Sequence, residues 1–309
     1  MSGRDFDPVV LRQKYAENRN ILAHLREARK LDVNDERAVM VAYDLQAGSY
    51  VARLESDPAV AEQHRASATA FARLFDDLGV VSLLDAGTGE ATMLASILGQ
   101  MRQPPADIHG FDISFSRLLV GQRWLSRQGF VSARLFAGSL TQVPVLADTF
   151  DTVFTNHALE PNRGREKEII AELYRVCRRY LILREPSWEL GDEATRQHIE
   201  QHRYIKGLPG VLAELGLDVI EHRRFEGDVN AANRSALTIV RKRPGDIGPN
   251  APAAFPKIPY ASPIGKGPLR FTGEAYYSAE DALIFPVISG VPCLLAENGV
   301  FSTRYLEVR

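Results

Sequence analysis

The sequence predicts an α/β protein: a doubly wound, mostly parallel seven-stranded sheet whose last strand runs antiparallel. Three observations predict it. Short apolar runs alternate with helical patterns between residues 78 and 243, and such alternation gives a parallel sheet covered on both faces. A glycine turn, DAGTGEA, stands between the first run and the first helical pattern, where sheets of this kind bind ligands. The last two runs are joined by the polar stretch EGDVNAANR. That stretch is too short for a parallel crossover, so the final pair is antiparallel.

The elements follow in order. Residues 1–77 read as an N-terminal helical lid, with NILAHLREARKL and EQHRASATAFARLFDDL as amphipathic helices. In the second, Phe71, Leu74, Phe75 and Leu78 recur at helical spacing and form one apolar face. VVSLLDA, ADIHGFDI, SARLFAG, FDTVFT, RYLILRE, LDVIEHRRF and SALTIVRK are the strands of residues 78–243. ATMLASILGQM, SFSRLLVGQRWLS, GREKEIIAELYRVCR and YIKGLPGVLAELG are helices between the earlier ones. Residues 244–259 hold five prolines and read as an extended, semi-rigid linker. Residues 260–309 carry short β-type runs and turn residues, which predict a small β module.

Composition narrows the function classes. Hydrophobic residues are 45% of the 309 and charged residues 25%, as in ordinary globular proteins. No run approaches the roughly 20 apolar residues of a membrane helix. The charged start lacks the apolar segment of a secretory signal. The net charge of −2 exerts no general pull toward nucleic acid. Cys177 and Cys293 lie in apolar contexts and read as reduced, buried thiols. A cytoplasmic location and no membrane or nucleic-acid partner are the expectations.

The glycine turn separates two cofactor classes. A dinucleotide site wants G-x-G-x-x-G, but Gly87 and Gly89 are followed by Thr92 at the third position. Asp85 ends the strand two residues before Gly87. A carboxylate there repels a pyrophosphate and suits a ligand with positive charge, such as the amino group and sulfonium of S-adenosylmethionine. Asp112, in GFDIS, follows the glycines by roughly 25 residues, where an acid accepts ribose hydroxyls. Its plainer role is to cap the helix SFSRLLVGQRW.

DAGTGEA, GFDIS, the AGSL turn and FTNHALE together resemble the ordered motifs of class I S-adenosylmethionine-dependent methyltransferases. The resemblance covers about half the chain and implies their Rossmann-like fold. By position it implies that Asp85, Gly87 and Gly89 line the methionine part of the cofactor. Asp112 would hold the ribose, Ile113 pack on the adenine, Ser139 and Leu140 edge it, and Asn156 lie beneath. Ala91 stands where a third glycine is frequent, and Ser139 where an acid often receives the adenine amino group. YDLQAGSY resembles the helix that folds over the cofactor in small-molecule methyltransferases, which implies contacts from Gln46 or Tyr50.

A hydroxyl acceptor needs its proton removed, so a base should face the cofactor. The fourth strand ends in Asn156, His157 and Glu160, and the fifth in Glu185 and Ser187. His157, Glu160 and Glu185 are the catalytic candidates; Asn162, Ser187 and His202 are the candidate acceptor contacts. A proline follows both Glu160 and Glu185 and disfavours helical geometry before it, so both acids are expected extended at the cleft mouth. HALEPNRGREKEI, ILREPSWE and HRYIKGL resemble a bacterial methyltransferase group found with surface-polysaccharide or natural-product biosynthesis.

His198 and His202 are four residues apart, but the sequence is not H-E-x-x-H. YASPIGKGPLRF followed by IFPVISGVPCLL resembles the zinc-ribbon-like activators of some tRNA and protein methyltransferases. Ser262 and Gly265 stand at its C-x-x-C positions, so no zinc or other metal is expected. The tail should pack on the catalytic domain, wall the cleft or form a homo-oligomer contact. The resemblance implies an S-adenosylmethionine-dependent methyltransferase, with O-methylation of a small-molecule acceptor, a sugar or secondary metabolite, as the expected reaction. N-methylation is equally open. The alternatives are a tRNA or protein methyltransferase with a fused activator-like tail, and a non-catalytic S-adenosylmethionine-binding protein.

Overall fold

A computed structural model describes residues 6–228 and 233–307. The middle of the EGDVNAANR connection lies outside them. The N-terminal region folds as α1 (Pro8–Ala16), α2 (Ile21–Arg29), α3 (Glu36–Leu45), α4 (Ser49–Ser56) and α5 (Pro58–Leu78). α5 starts where Asp57 accepts from the Ala59 and Val60 amides, with Pro58 opening the first turn. It stops at Gly79, whose φ of 60° the helix C-terminus requires. Phe71 and Phe75 on its apolar face are fully buried.

The main sheet contains β1 (Ser82–Ala86), β2 (Asp107–Asp112), β3 (Arg134–Ala137), β4 (Phe150–Asn156), β5 (Cys177–Pro186), β6 (Asp218–Arg224) and β7 (Ser235–Arg241). Their spatial order is β3-β2-β1-β4-β5-β7-β6. β7 runs antiparallel to both neighbours, β5 and β6, as the short final connection dictates. The connecting helices are α6 (Thr92–Leu98), α7 (Phe115–Arg127), α8 (Glu166–Val176), α9 (Glu193–His202) and α10 (Leu208–Glu214). α10 begins later than the sequence pattern suggests, because Gly207 takes a left-handed conformation (φ 68°) just before it.

Two apolar layers sandwich the sheet. Phe71 and Phe75 of α5 pack on Phe154 of β4, with ring centroids 5.5 and 5.4 Å apart, and join side chains of α6 and α7. The opposite layer joins Ile169, Ile170 and Leu173 of α8 to Tyr260, Phe285 and Leu294 from the C-terminal region. That assignment has a topological cause. β3 and β4 are joined by a loop with no helix, so one face of β2 and β3 lacks the usual cover. The C-terminal region supplies it. Tyr260 packs edge-on against His109 of β2 and Phe136 of β3, and Phe255 of the proline-rich segment packs on Phe150. Burial drives the His109 pKa down to about 3, so the ring is neutral.

The module itself contains β8 (Arg270–Phe271), β9 (Ala275–Ser278), β10 (Leu283–Ile288), β11 (Val291–Pro292) and β12 (Val300–Phe301). The Leu294 amide donates to the Ala137 carbonyl of β3, which covers the edge of the main sheet. Cys177 and Cys293 are both buried and free. At the positions where the tail's resemblance has cysteines, Ser262 is buried and a side chain at Gly265 would meet the Asp281 carboxylate. A hydrogen bond from Ser262 and another from Ser278 hold the Asp281 pKa down. Among the described residues no group of three His, Cys, Asp or Glu is placed to hold a metal. No described helix is long and apolar enough to cross a membrane.

Phe71 couples α5 to the sheet, so Phe71→Ala should lower stability by about 3–5 kcal/mol. Urea unfolding followed by fluorescence measures it.

Candidate active site

A cavity of about 330 Å³ lies at the carboxyl ends of β1, β2 and β4. Glycine lets the backbone form its floor. Gly87 has φ 80°, and a Cβ there would collide with Ala158 in the loop after β4. Gly89 has φ 57°, and a Cβ there would strike the Arg117 guanidinium. Ala91 holds the left-handed conformation (φ 53°) at the start of α6, a strained position for a residue with a side chain.

Two carboxylates face this floor. Asp112 accepts from the Gly89 amide at 2.9 Å and from the Ser114 amide at 2.9 Å. It therefore ties the glycine turn to the end of β2, while the Ser114 hydroxyl caps α7. Asp85 accepts from the Thr88 hydroxyl at 2.6 Å. Burial pushes the Asp85 pKa up to about 7, and the charge of Asp112 adds to the rise. Arg117 is the cation of the cavity. Burial opposes its charge, but Asp112 and the two tyrosines beside it keep its pKa above the ordinary value. Its guanidinium sits 4.6 Å from the Tyr50 ring and 5.3 Å from the Tyr43 ring.

Tyr50, Ile113, Leu140, Asn156, His157, Glu160 and Asn162 also line the cavity. Asn156 is oriented by Arg184, whose Nη1 donates to Asn156 Oδ1 at 2.9 Å. His157 has φ 58°, a sparsely populated conformation for a side-chain-bearing residue. The bend brings His157 Nδ1 to 2.9 Å from Glu160 Oε2. The Tyr204 hydroxyl also bonds to Glu160, which together with burial raises the tyrosine pKa.

The two Glu-Pro acids part company. Glu160 lines the cavity. Glu185 lies beneath its floor, not at the mouth: it is 1% exposed and accepts from the Ala158 and Leu159 amides, each at 3.1 Å. Burial pushes its pKa up to about 7. Asn162 donates back to the Ala158 carbonyl at 3.1 Å. Ser187 lies in a separate crevice with Glu185 and caps the Leu190 amide. Gln46 and His202 line a neighbouring groove of about 590 Å³ rather than the cavity. Tyr43, Tyr50 and Glu160 belong to both spaces and form the wall between them.

The lid is held by carboxylates that sequence patterns do not single out. Gly48 precedes α4 without a side-chain cap. Glu90 of the glycine turn replaces it, accepting from the amides of Gly48 (2.9 Å), Tyr50 (3.4 Å) and Val51 (2.8 Å). Asp44 of α3 takes the Ser114 and Ser116 hydroxyls and the Ser116 amide at the start of α7. Glu36 accepts from the hydroxyl of Ser139, which also bonds to Thr141. Ser139 is therefore engaged by the lid, and Glu36 itself lines the cavity. Tyr43 opens the YDLQAGSY motif, whereas Glu36, Glu90, Arg117 and Tyr204 were not singled out by the sequence motifs. The one visible signal was an acid directly after the second glycine.

Part of the chain is similar to known proteins. A family described as a methyltransferase domain matches residues 83–179, less than half of the chain. No curated protein matches the sequence. Solved structures that resemble it include a putative sarcosine dimethylglycine methyltransferase from Galdieria sulphuraria. It is 12% identical, with a TM-score of 0.44 over 56% of this chain and 83% of that one. Magnesium protoporphyrin IX methyltransferase from Synechocystis PCC 6803 is 14% identical, with a TM-score of 0.47 over 59% of this chain and 84% of that one. The structure of geranyl diphosphate methyltransferase is 14% identical, with a TM-score of 0.43 over 56% and 76%. Over residues 83–179 the chain is thus similar to a methyltransferase domain.

Proposed function

We propose that this protein is an S-adenosylmethionine-dependent O-methyltransferase acting on a small hydroxylated molecule, a sugar or a secondary metabolite. One observation carries the reading: Glu160, bonded to His157, stands in the wall between the cofactor-sized cavity and an open groove. A base at that boundary faces both partners of a transfer.

The donor set fits the cofactor. Asp85 suits its cationic groups, Arg117 its carboxylate and Asp112 its ribose hydroxyls. Ile113 and Leu140 offer apolar contact to the adenine, and Glu36 supplies an acid for the adenine amino group beside Ser139. Gly87 and Gly89 give backbone approach, Asn156 lies at the floor, and Tyr50 closes the side. The volume lies within the ordinary range of small-molecule sites, about 300–1,000 Å³.

When bound, S-adenosylmethionine supplies an electrophilic methyl group. The chain's own residues do the rest. Glu160 accepts the proton that the acceptor hydroxyl loses. His157 and Tyr204 hold the Glu160 carboxylate in place. Glu185 is a positioning residue: by fixing two consecutive amides it sets the bend that carries His157. Asn162 steadies the same loop, while His202 and Gln46 touch the acceptor in the groove. Tyr43 and Tyr50 exclude water. Positioning of this kind provides most of the rate in transfers without a covalent enzyme intermediate.

Calorimetric titration tests the reading. S-adenosylmethionine should bind at sub-millimolar concentration, and Asp112→Ala should weaken binding at least about tenfold, the loss of one charge-assisted hydrogen bond. Absence of binding by the unaltered protein would refute it. A cation beside Asp85 favours its carboxylate, so binding should release a proton. The folded carboxyl is protonated below about pH 7, so affinity should fall as the pH drops from 8 to 6. The binding heat should change with the ionisation enthalpy of the buffer. Glu160→Gln should lower kcat about 100-fold with little change in S-adenosylmethionine affinity, read by S-adenosylhomocysteine release.

A further inference from the structure

The groove beyond Glu160 has a chemistry of its own. The turn between α1 and α2 and α2 itself place Arg19 and Arg26 in its lining, together with Tyr43, Tyr50 and Glu160. Positive charge and a carboxylate therefore line the same groove.

We infer that the acceptor carries an anionic group, a carboxylate or a phosphate, which Arg19 and Arg26 bind while its hydroxyl points at Glu160. The inference rests on the methyltransferase reading and names the acceptor class for that same site. Among the described residues neither Arg19 nor Arg26 forms an ion pair. Arg26 is half-buried, and its Nη1 donates to Asn34 Oδ1 at 2.7 Å. A guanidinium has five donors in a planar fork, so most of its capacity is left for a ligand. Burial first, and then the nearby charge of Arg203, lowers its pKa. An anion relieves both penalties, whereas a neutral sugar relieves neither.

Arg26 is also tied to the loop that carries Glu160. Arg26 bonds to Asn34, and Asn34 Nδ2 donates to the Pro161 carbonyl at 3.0 Å. Pro161 directly follows Glu160. The arginine that meets the anion is thus fixed relative to the base that meets the hydroxyl. An acceptor with both groups is oriented at two points, as productive transfer needs. Both carboxylate and phosphate match the guanidinium fork.

Calorimetry on the full chain with S-adenosylhomocysteine present tests this. The probes are glucuronic acid, glucose 6-phosphate and glucose. At least one acid should bind at least tenfold more tightly than glucose, and whichever acid binds better identifies carboxylate or phosphate as the group. Arg19→Gln combined with Arg26→Gln should lower that affinity at least tenfold and leave S-adenosylhomocysteine affinity within twofold, which also shows that the variant is folded. Arg26→Lys should recover part of the loss. Equal binding of acid and glucose, no binding of either acid, or indifference to the double substitution overturns the inference. Loss of S-adenosylhomocysteine binding by the unaltered protein instead overturns the methyltransferase reading.

Discussion

The carboxylate of Glu90 is the constraint on which the site depends. It belongs to the glycine turn, yet it closes the exposed amides at the start of α4. Hydrogen bonds to a charged group are worth about 1.5–3 kcal/mol each, and Glu90 is only 1% exposed. Tyr50 is held at the beginning of α4, and Tyr50 and Tyr43 both stack on Arg117. One acid therefore fixes the wall that divides cavity from groove. Asp44, Glu36 and Asn34 add further polar ties from the lid to the rest of the protein.

Buried acids recur along this edge, and their partners differ in a telling way. Glu90, Asp112 and Glu185 each accept backbone amides. Such carboxylates organise loops, because an amide cannot move away without leaving a charge unpaired. Asp85 has the Thr88 hydroxyl instead. Asp85 and Asp112 both line the cavity, so accepting a backbone amide does not remove an acid from the site.

The parts legible in the sequence were those set by short-range pattern. The strands, the glycine turn and the acids at the ends of β1 and β2 sit where period and spacing put them. Residues such as Glu36, Arg117 and Tyr204 act across long stretches of chain. Glu36 meets Ser139, and Asp44 meets Ser116; neither pairing leaves a local trace. Glu185 shows a second limit. Arg184 and Glu185 are neighbours on β5 and so point to opposite faces. Arg184 reaches Asn156 and Asp228, while Glu185 turns under the loop after β4. A strand end gives the residues but not which face meets the ligand.

The C-terminal region has a consequence for how the chain is made. Tyr260, Phe285 and Leu294 complete the apolar layer that begins at Leu84 and Phe111. Domains form from the N-terminal side as synthesis proceeds at about 5–20 residues per second. Here the face of β2 carrying His109 stays bare until residues well past the seventh strand have left the ribosome. A segment made after all seven strands is thus a closing piece of their core, and the nascent sheet depends on its arrival to become dry.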